Sequence, residues 1–294
     1  MVVTDTRERA PRAGRFRGSR SWSVWHRPLL WIGLGLFVGI VFLCFAGPHF
    51  YPVSPLAVHV TEARRPPSLR FPLGTDALGR SELARVMFGG RLLILIALAS
   101  ALSATILGVG VGLFAGYVGG TFDRVAVWVM DVVLSVPQLV PLLLIAFLLT
   151  SSPTTMIGVI GATTWPLVAR PVRAHVLSVR ERPYVAAALS LGTSPWRVMG
   201  RHILPTLAPT ILMSASNSVS TAVVVLATAS YFGISLPPPW PNWSSMIAHG
   251  MHQIYSNQWW WWVSPAVALA LLVFSINMVS EAAHAVSRQG GSPS

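Results

Sequence analysis

Lysine is absent from this chain of 294 residues, and charged side chains of every kind are scarce. They make up 10% of the sequence, whereas an ordinary soluble domain has roughly 25%. A soluble surface needs far more charge than this. The missing lysine also excludes a P-loop lysine and a Schiff-base lysine. The chain therefore cannot hydrolyse ATP through a Walker A motif of its own.

Cysteine is almost as scarce as lysine. The single Cys44 excludes an intrachain disulfide and a cysteine-rich zinc site. His249 and His252 have the spacing of metal ligands on a helix, but no third ligand is close in the sequence. Paired carboxylates and hydrolase motifs are missing as well. We therefore expect no catalytic residue, no metal site and no cofactor in this chain itself.

Hydrophobic residues, at 53% of the chain, gather in six long runs between arginine-rich islands. A helix needs about 20 mostly apolar residues to cross a bilayer, and backbone groups in lipid must be satisfied within the segment. The sequence therefore predicts an all-α membrane protein with one transmembrane domain, residues 28–283. The six predicted spans are residues 29–47, 92–118, 125–149, 154–171, 207–236 and 259–280.

The distribution of arginine predicts how the spans are oriented. The basic tail 1–27 is expected to be disordered and cytoplasmic, and six spans return the C-terminal tail 284–294 to the same side. The arginine-rich loop 172–206 then also lies inside. The loop 51–91 must lie outside although its net charge is positive, which the positive-inside rule does not explain. Its last part, residues 81–91, is interpreted as a helix that lies on or enters the membrane.

Three glycines stand four residues apart in the second predicted span, at Gly108, Gly112 and Gly116. Small residues at this spacing form a smooth stripe that lets another helix approach closely. We expect the stripe to pack against a neighbouring helix of the same bundle. A role in gating is the alternative.

Polar side chains inside the spans are few, and Asp131 is the one carboxylate among them. A carboxylate at that depth is costly in lipid and should face protein or water. It is interpreted either as part of a substrate or proton pathway or as an inter-helix hydrogen bond, and Asn217 is a second polar candidate. Pro137 and Pro141 follow in the same span, so we expect this helix to bend.

Tryptophan is concentrated before and at the start of the last span. Four tryptophans in a row occupy residues 259–262, and Trp240 and Trp243 precede them. Indole rings favour the headgroup level of a bilayer. The sequence therefore predicts an interfacial belt, with a wide outer mouth as the alternative position for some of these rings.

The loop 172–206, hereafter the connector, is the most informative stretch between two spans. Residues 184–191 are predicted to form a short helix with small residues on one face. Gly192 can supply the left-handed conformation that ends such a helix, and Thr193 or Ser194 can cap the next one. Small residues on an exposed helix allow close docking into a groove of a partner. The flanking arginines would steer the helix there.

In its motifs the connector resembles the cytoplasmic coupling loop of ABC importer permeases. The pattern of that family is Glu-Ala-Ala, three residues, Gly and, further on, Leu-Pro. The matching positions are Ala187, Ala188, Gly192, Leu204 and Pro205. Ala186 stands where the family has Glu, and Leu189 stands where Arg is common in the peptide-transporter branch.

Other motifs narrow the resemblance to the C-type subunit of the dipeptide/oligopeptide/nickel permease family. The run Leu73-Gly-Thr-Asp-Ala-Leu-Gly-Arg80 resembles a Leu-Gly-Thr-Asp-x-x-Gly-Arg motif of that subfamily. Three further runs fit it: Gly116-Tyr-Val-Gly-Gly-x-x-Asp123, Arg201-His-Ile-Leu-Pro205 and Pro237-Pro-Pro-x4-Trp243-x-Ser-Met. Ser244 replaces the usual Gly, and a Glu often found near Leu226 is missing.

The resemblance implies a type I ABC importer permease fold in a bacterial plasma membrane, with both termini cytoplasmic. A second, different permease would complete the pathway for short peptides, which an extracellular binding protein would deliver. Separate or fused ATP-binding subunits would hold ATP and Mg, and nucleic acid is not an expected partner. Nickel or another small solute is the alternative cargo, and an ion-gradient-driven transporter is a remote alternative. The residues predicted to couple this chain to the ATPase are Tyr184, Ala186, Ala187, Ala188, Gly192, Thr193, Arg197, Arg201 and Pro205.

Overall fold

The computed structural model describes residues 22–148, 152–234, 240–253, 255 and 257–289. Regular structure in these residues is helical, apart from an isolated β-bridge between Thr75 and Ser81. The α-helices are α1 (Trp22–Phe45), α2 (Gly47–Phe50), α3 (Glu82–Val118), α4 (Gly120–Ser135), α5 (Leu139–Leu148), α6 (Pro153–Arg180), α7 (Pro183–Ser190), α8 (Pro195–Val198), α9 (Ala208–Tyr231), α10 (Trp243–Met251) and α11 (Trp260–Gln289). The predicted all-α class is confirmed for this part of the chain.

Three of the described helical segments are long and apolar enough to cross a membrane. They are Glu82–Val118, Pro195–Tyr231 and Trp260–Glu281, which overlap the second, fifth and sixth predicted spans. Leu30–Phe45, at the first predicted span, is a shorter apolar helix. The chain is thus a helical membrane protein, and the count of six spans stays a prediction.

The predicted tails partly coincide with helices. α1 begins at Trp22, within the predicted tail 1–27, and α11 continues to Gln289, within the predicted tail 284–294. The remainder of both tails lies outside the described residues, as does the end of the fifth predicted span.

The third predicted span consists of two helices, because α4 ends at Ser135 and α5 begins at Leu139. Pro137 stands between them. A proline lacks the backbone donor of a helix and disfavours helical torsions in the residue before it. Val136 accordingly has φ −90° and ψ 123°, which is extended backbone. The bend expected at Pro137 is therefore a break.

α3 begins well before the span predicted within it. The Ser81 hydroxyl caps its N-terminus by accepting a hydrogen bond from the Ala84 amide at 3.4 Å. Residues 81–91, expected to form a helix on or in the membrane, comprise this cap and the first turns of a continuous helix of 37 residues. At a rise of about 1.5 Å per residue α3 is roughly 55 Å long, far more than the roughly 30 Å of a hydrocarbon core.

α3 is the centre of the bundle and contacts α1, α6, α9 and α11. The glycine stripe faces α6. A Cβ on Gly108 would stand 2.6 Å from the Cβ of Val168, and one on Gly112 would stand 2.6 Å from the carbonyl oxygen of Ala169. Gly116 continues the same contact one turn further along. The stripe lets the two helices come closer than side chains would allow.

Cys44 is completely buried in the main core of the bundle. It lies beside Gly90, where a Cβ would stand 2.5 Å from the Cys44 sulfur. Trp243 fills the space on the same side and is also buried. Its indole N–H donates to the carbonyl of Val86 at 2.6 Å, which fixes α10 against α3.

The predicted tryptophan belt is wrong for the rings that open α11. Trp260 and Trp261 are buried, and both indole N–H groups donate to the carbonyl of Thr75, at 3.3 Å and 2.7 Å. Trp259 is exposed. A buried indole needs a hydrogen-bond acceptor, and here the loop before α3 provides it.

Candidate functional site

α7 is the exposed helix of the connector, and it begins and ends one residue before the predicted range 184–191. Val185 holds it in place. This side chain is buried in an apolar cluster at the end of α6, which we call the valine cluster. Its members are Val168, Val172, Val176, Val179, Val185, Val198, Ile203 and Leu207. Ala188 is half-buried against it, whereas Tyr184, Ala186, Ala187 and Leu189 are exposed.

A Schellman motif ends α7. Gly192 has φ +80°, the left-handed conformation expected from the sequence. Its N–H donates to the carbonyl of Leu189 at 3.0 Å, and the N–H of Thr193 donates to the carbonyl of Ala188 at 3.1 Å. The turn fixes the direction in which the connector leaves the exposed helix.

The second half of the connector carries large exposed side chains that the sequence did not single out. Leu191 and Trp196 are 86% and 68% exposed. The sequence contained a signal for both, because each is a large apolar residue in the segment 172–206, which is predicted to lie outside the membrane. The Trp196 ring makes an edge-on contact with Phe114 of α3, with centroids 5.5 Å apart. Arg197 beside it is exposed, so this surface combines apolar and basic groups.

The last part of the connector is irregular. A π-helical turn, Met199–Ile203, and a 3₁₀ turn, Leu204–Leu207, lead into α9. Ile203 and Leu207 are buried in the valine cluster. Arg201 and Pro205 are exposed. Every connector residue predicted to couple to the ATPase is thus exposed or half-buried. The buried residues Val185, Val198 and Ile203, which alternate with them in the sequence, hold the connector backbone to the valine cluster.

Two arginines of α6, in the first part of the connector, hydrogen-bond to neighbouring helices. Arg173 donates to both carboxylate oxygens of Asp123 in α4, with Nη2 to Oδ2 at 2.6 Å. This hydrogen bonding holds the pKa of Asp123 below its ordinary value of 3.8. Arg180 donates to the carbonyls of Gly116 and Tyr117 at 3.1 Å and 3.3 Å, at the end of α3. The last turns of α6 are therefore hydrogen-bonded to both α3 and α4.

Asp131 lies opposite Arg170 and forms an ion pair with it between α4 and α6. Both side chains are about half exposed, at 57% for Asp131 and 51% for Arg170. The carboxylate therefore has a partner on a neighbouring helix and an open face at the same time.

Asn217 of α9 belongs to a polar contact with α11. Its side-chain oxygen accepts a hydrogen bond from the hydroxyl of Ser280 at 3.0 Å. Nearby, the hydroxyl of Ser220 donates to the side-chain oxygen of Asn277 at 2.9 Å. Asn217 and Asn277 are both exposed. Sequence reasoning identified Asn217 but missed Asn277, because the pairing becomes visible once α9 and α11 lie side by side.

His249, one of the two histidines with metal-ligand spacing, has a local partner within α10. Nδ1 of His249 lies 2.5 Å from the carbonyl oxygen of Ser245, one turn earlier in α10. Among the described residues, no group of three or more His, Cys, Asp or Glu side chains could hold a metal ion.

The described residues form a bundle of apolar helices from which an exposed connector extends, held in place by the valine cluster. The family described as "binding-protein-dependent transport system inner membrane component" matches residues 108–290, and this chain belongs to that family. The resemblance seen in the motifs is thereby confirmed. Members are transport components of ABC importers and not enzymes, and the ATPase activity belongs to separate subunits.

Several relatives align with most of the chain. A Brucella abortus (biovar 1, strain 9-941) protein named as a peptide permease is 30% identical over 250 residues, which cover 85% of this chain and 83% of the relative. The oligopeptide transport system permease protein OppC of Bacillus subtilis (strain 168) is 30% identical over 253 residues, covering 86% and 83%. The dipeptide transport system permease protein DppC of the same strain is 28% identical over 249 residues, covering 85% and 78%.

Proposed function

We propose that this chain is one of two different permeases that form the pathway of a peptide importer in a bacterial plasma membrane. The relatives named above as peptide, oligopeptide and dipeptide permeases support short peptides as the cargo. An extracellular binding protein delivers the peptide, and ATP-binding subunits, separate or fused, bind ATP and Mg. Selectivity then depends largely on the binding protein.

The contact with the ATPase is assigned to the connector, and one observation carries this proposal. α7 presents small side chains outward while Val185 fixes it to the valine cluster at the end of α6. A groove in the ATPase can close around Ala186 and Ala187 because these side chains are small. A displacement of α7 passes to α6 through Val185. Nucleotide can drive transport through this contact only if it favours one of the two conformations of the bundle.

The topology follows from the same contact. The connector lies beside Gly116 at one end of α3, and the loop 51–81 leads into the other end. If the connector meets the ATPase in the cytoplasm, the loop lies outside. Six spans with both termini inside fit this arrangement, with α4 and α5 together forming the third span.

The pathway is assigned to faces that carry polar groups at membrane depth. Asp131 with Arg170, and Asn217 with Ser280, are polar pairs that retain an exposed side. Such groups face protein or water rather than lipid. They line either the water-filled pathway or the contact with the second permease.

Copurification tests the proposed function. This chain, tagged and extracted from its native membrane, is expected to bring a second permease and ATP-binding subunits with it. The purified chain alone is expected to bind no ATP. Saturable ATP binding by the chain alone, or purification without an ATPase, would contradict the proposal. Binding assays on the extracellular binding protein would then separate peptides from nickel or another small solute.

A further inference from the structure

In the loop before α3, the arginine side chains are more exposed than the acids with which they pair, and the side chain of Glu62 is 17% exposed. Glu62 pairs with Arg65 at 2.6 Å and with Arg70 at 3.2 Å. Asp76 pairs with Arg80 at 2.6 Å. The side chains of Arg65 and Arg70 nevertheless remain 57% and 75% exposed. The surface that this loop presents is therefore basic.

Residues 64–70 form a well-fixed projection, which we call the basic knob. All seven are exposed. The backbone of Arg65 is held by Thr75: its N–H donates to the Thr75 hydroxyl at 2.8 Å, and its carbonyl accepts from the Thr75 N–H at 3.0 Å. Phe71, directly after the knob, is buried. The backbone near the start of the knob is thus held by hydrogen bonds, and the residue after its end is held by burial.

The basic knob also exposes apolar side chains. Leu69 is fully exposed, and Val60 beside the knob is largely exposed. Pro66 and Pro67 are exposed between the arginines. A surface that combines apolar side chains with arginine is typical of a protein–protein interface.

The position of the knob favours a protein partner over a lipid surface. The Glu82 amide donates to the carbonyl of Gly74 at 3.0 Å, so the loop rests on the N-terminus of α3. The first ten residues of α3 include Glu82, Arg85 and Arg91, and the uncharged stretch 92–118 follows. Ten helical residues rise about 15 Å. The basic knob therefore stands clear of the hydrocarbon core, at the end of α3 opposite the connector.

We propose that the basic knob docks the extracellular binding protein, through a patch on that protein that carries acidic and apolar side chains. This inference rests on the proposed function, in which that protein delivers the cargo. Complementary charge accelerates the encounter of the two proteins and orients it. Docking of this protein would also explain the net positive charge of the loop 51–91, which the positive-inside rule does not explain.

Binding-protein affinity of the complete transporter, in nanodiscs of phosphatidylcholine, tests the proposal. The variant Arg64→Asn/Arg65→Gln/Arg70→Gln removes the exposed charge, and Asn suits position 64 because Arg64 has φ +59°. We expect affinity to fall roughly tenfold at low salt, with the difference shrinking at high salt. Leu69→Ser is expected to weaken binding at both salt concentrations.

Glu62→Gln is the matched variant, and it is expected to change the affinity in the opposite direction. It removes the carboxylate that neutralises Arg65 and Arg70, so binding is expected to tighten roughly two- to threefold at low salt. The backbone carbonyl of Glu62, which accepts from the Thr75 hydroxyl at 2.6 Å, is retained. Arg124→Gln, a neutralisation of an arginine in α4, is expected to leave the affinity unchanged.

Two results would overturn the docking assignment. One is unchanged affinity in the triple variant when the wild-type transporter binds the protein. The other is a change that occurs only in nanodiscs containing phosphatidylglycerol, which would make lipid the partner of the knob. A wild-type transporter that binds no such protein at all would instead contradict the proposed function.

Discussion

Gly112 of α3 faces the carbonyl oxygen of Ala169 in α6 so closely that a Cβ on Gly112 would stand 2.6 Å from it. Val172 occupies the same side at 3.0 Å. A backbone carbonyl cannot swing away as the end of a flexible side chain can. Gly112 therefore sets the separation between the central helix of the bundle and the helix that carries the connector.

Gly112→Ala is expected to destabilise the protein by about 1–3 kcal/mol, because α3 and α6 must move apart to admit the methyl group. The thermal unfolding midpoint in detergent measures the effect. Gly110→Ala is the control, since a Cβ at Gly110 meets nothing within 4 Å. Its higher helix propensity should leave the midpoint unchanged or raised. Equal midpoints for the two variants would show that the stripe does not set the helix separation.

The contact between Asp123 and Arg173 should make the free energy of unfolding depend on pH in the acidic range. Because the pKa of Asp123 lies below 3.8 in the folded protein, its stabilisation is complete above that value and is lost as the pH falls through the folded pKa. Asp123→Asn should therefore lower stability by about 1 kcal/mol at neutral pH and abolish this acid-dependent part. Unfolding midpoints measured from neutral to acidic pH report both effects.

Arg173→Gln provides the matching half of that experiment. The double variant should be no less stable at neutral pH than the less stable of the two single variants, because one contact has been removed from both sides. Fully additive losses would mean that the two side chains stabilise the bundle independently.

Gly192→Pro should uncouple the connector while leaving the bundle folded. Proline fixes φ near −65° and has no N–H, whereas Gly192 has φ +80° and donates to the carbonyl of Leu189. We expect normal membrane insertion and an ATPase rate that falls to its unstimulated level when the cargo-loaded binding protein is present. Gly200→Ala is the control, because Gly200 is exposed with open space around it. Stimulated ATPase activity in Gly192→Pro would contradict coupling through α7.

Trp261→Phe should loosen the loop that rests on α3. The substitution removes the hydrogen bond to the carbonyl of Thr75 and is expected to cost about 1–2 kcal/mol. Since the chain has no lysine, trypsin can cut this loop only after arginine, and cleavage after Arg64 or Arg70 should become faster. Trp259→Phe, at an exposed ring, should leave the cleavage rate unchanged. Equal rates for both variants would mean that the Trp261 indole does not hold the loop.

The connector could be predicted because its signals are local. A short run of small residues followed by glycine predicts a helix and its termination within ten positions, and the structure has α7 and a left-handed Gly192 there. The glycine stripe was equally visible, but its partner was not. Periodicity shows that one face of α3 is smooth, whereas tertiary packing determines that α6 covers it.

The expectations that failed depended on distant residues. The sequence alone favours a membrane belt for Trp260 and Trp261. In the structure both indoles donate to the carbonyl of Thr75, which is far away in the sequence. The burial of Val185 and the pairing of Asn217 with Ser280 likewise need two elements to be placed side by side. A single sequence describes each element separately and does not supply these contacts.

The burial of Cys44 has a practical consequence for following transport in time. Cys44 is the only cysteine of the chain, and it is fully buried beside Gly90 and Trp243. The chain also has no lysine side chain with which a thiol reagent could react instead. The wild-type chain is therefore expected not to react with thiol-directed dyes. Cysteines introduced at Phe50 and Leu191, both strongly exposed, would carry a donor and an acceptor dye on opposite ends of the bundle. Their changing separation would report movements of this chain without prior removal of its native cysteine.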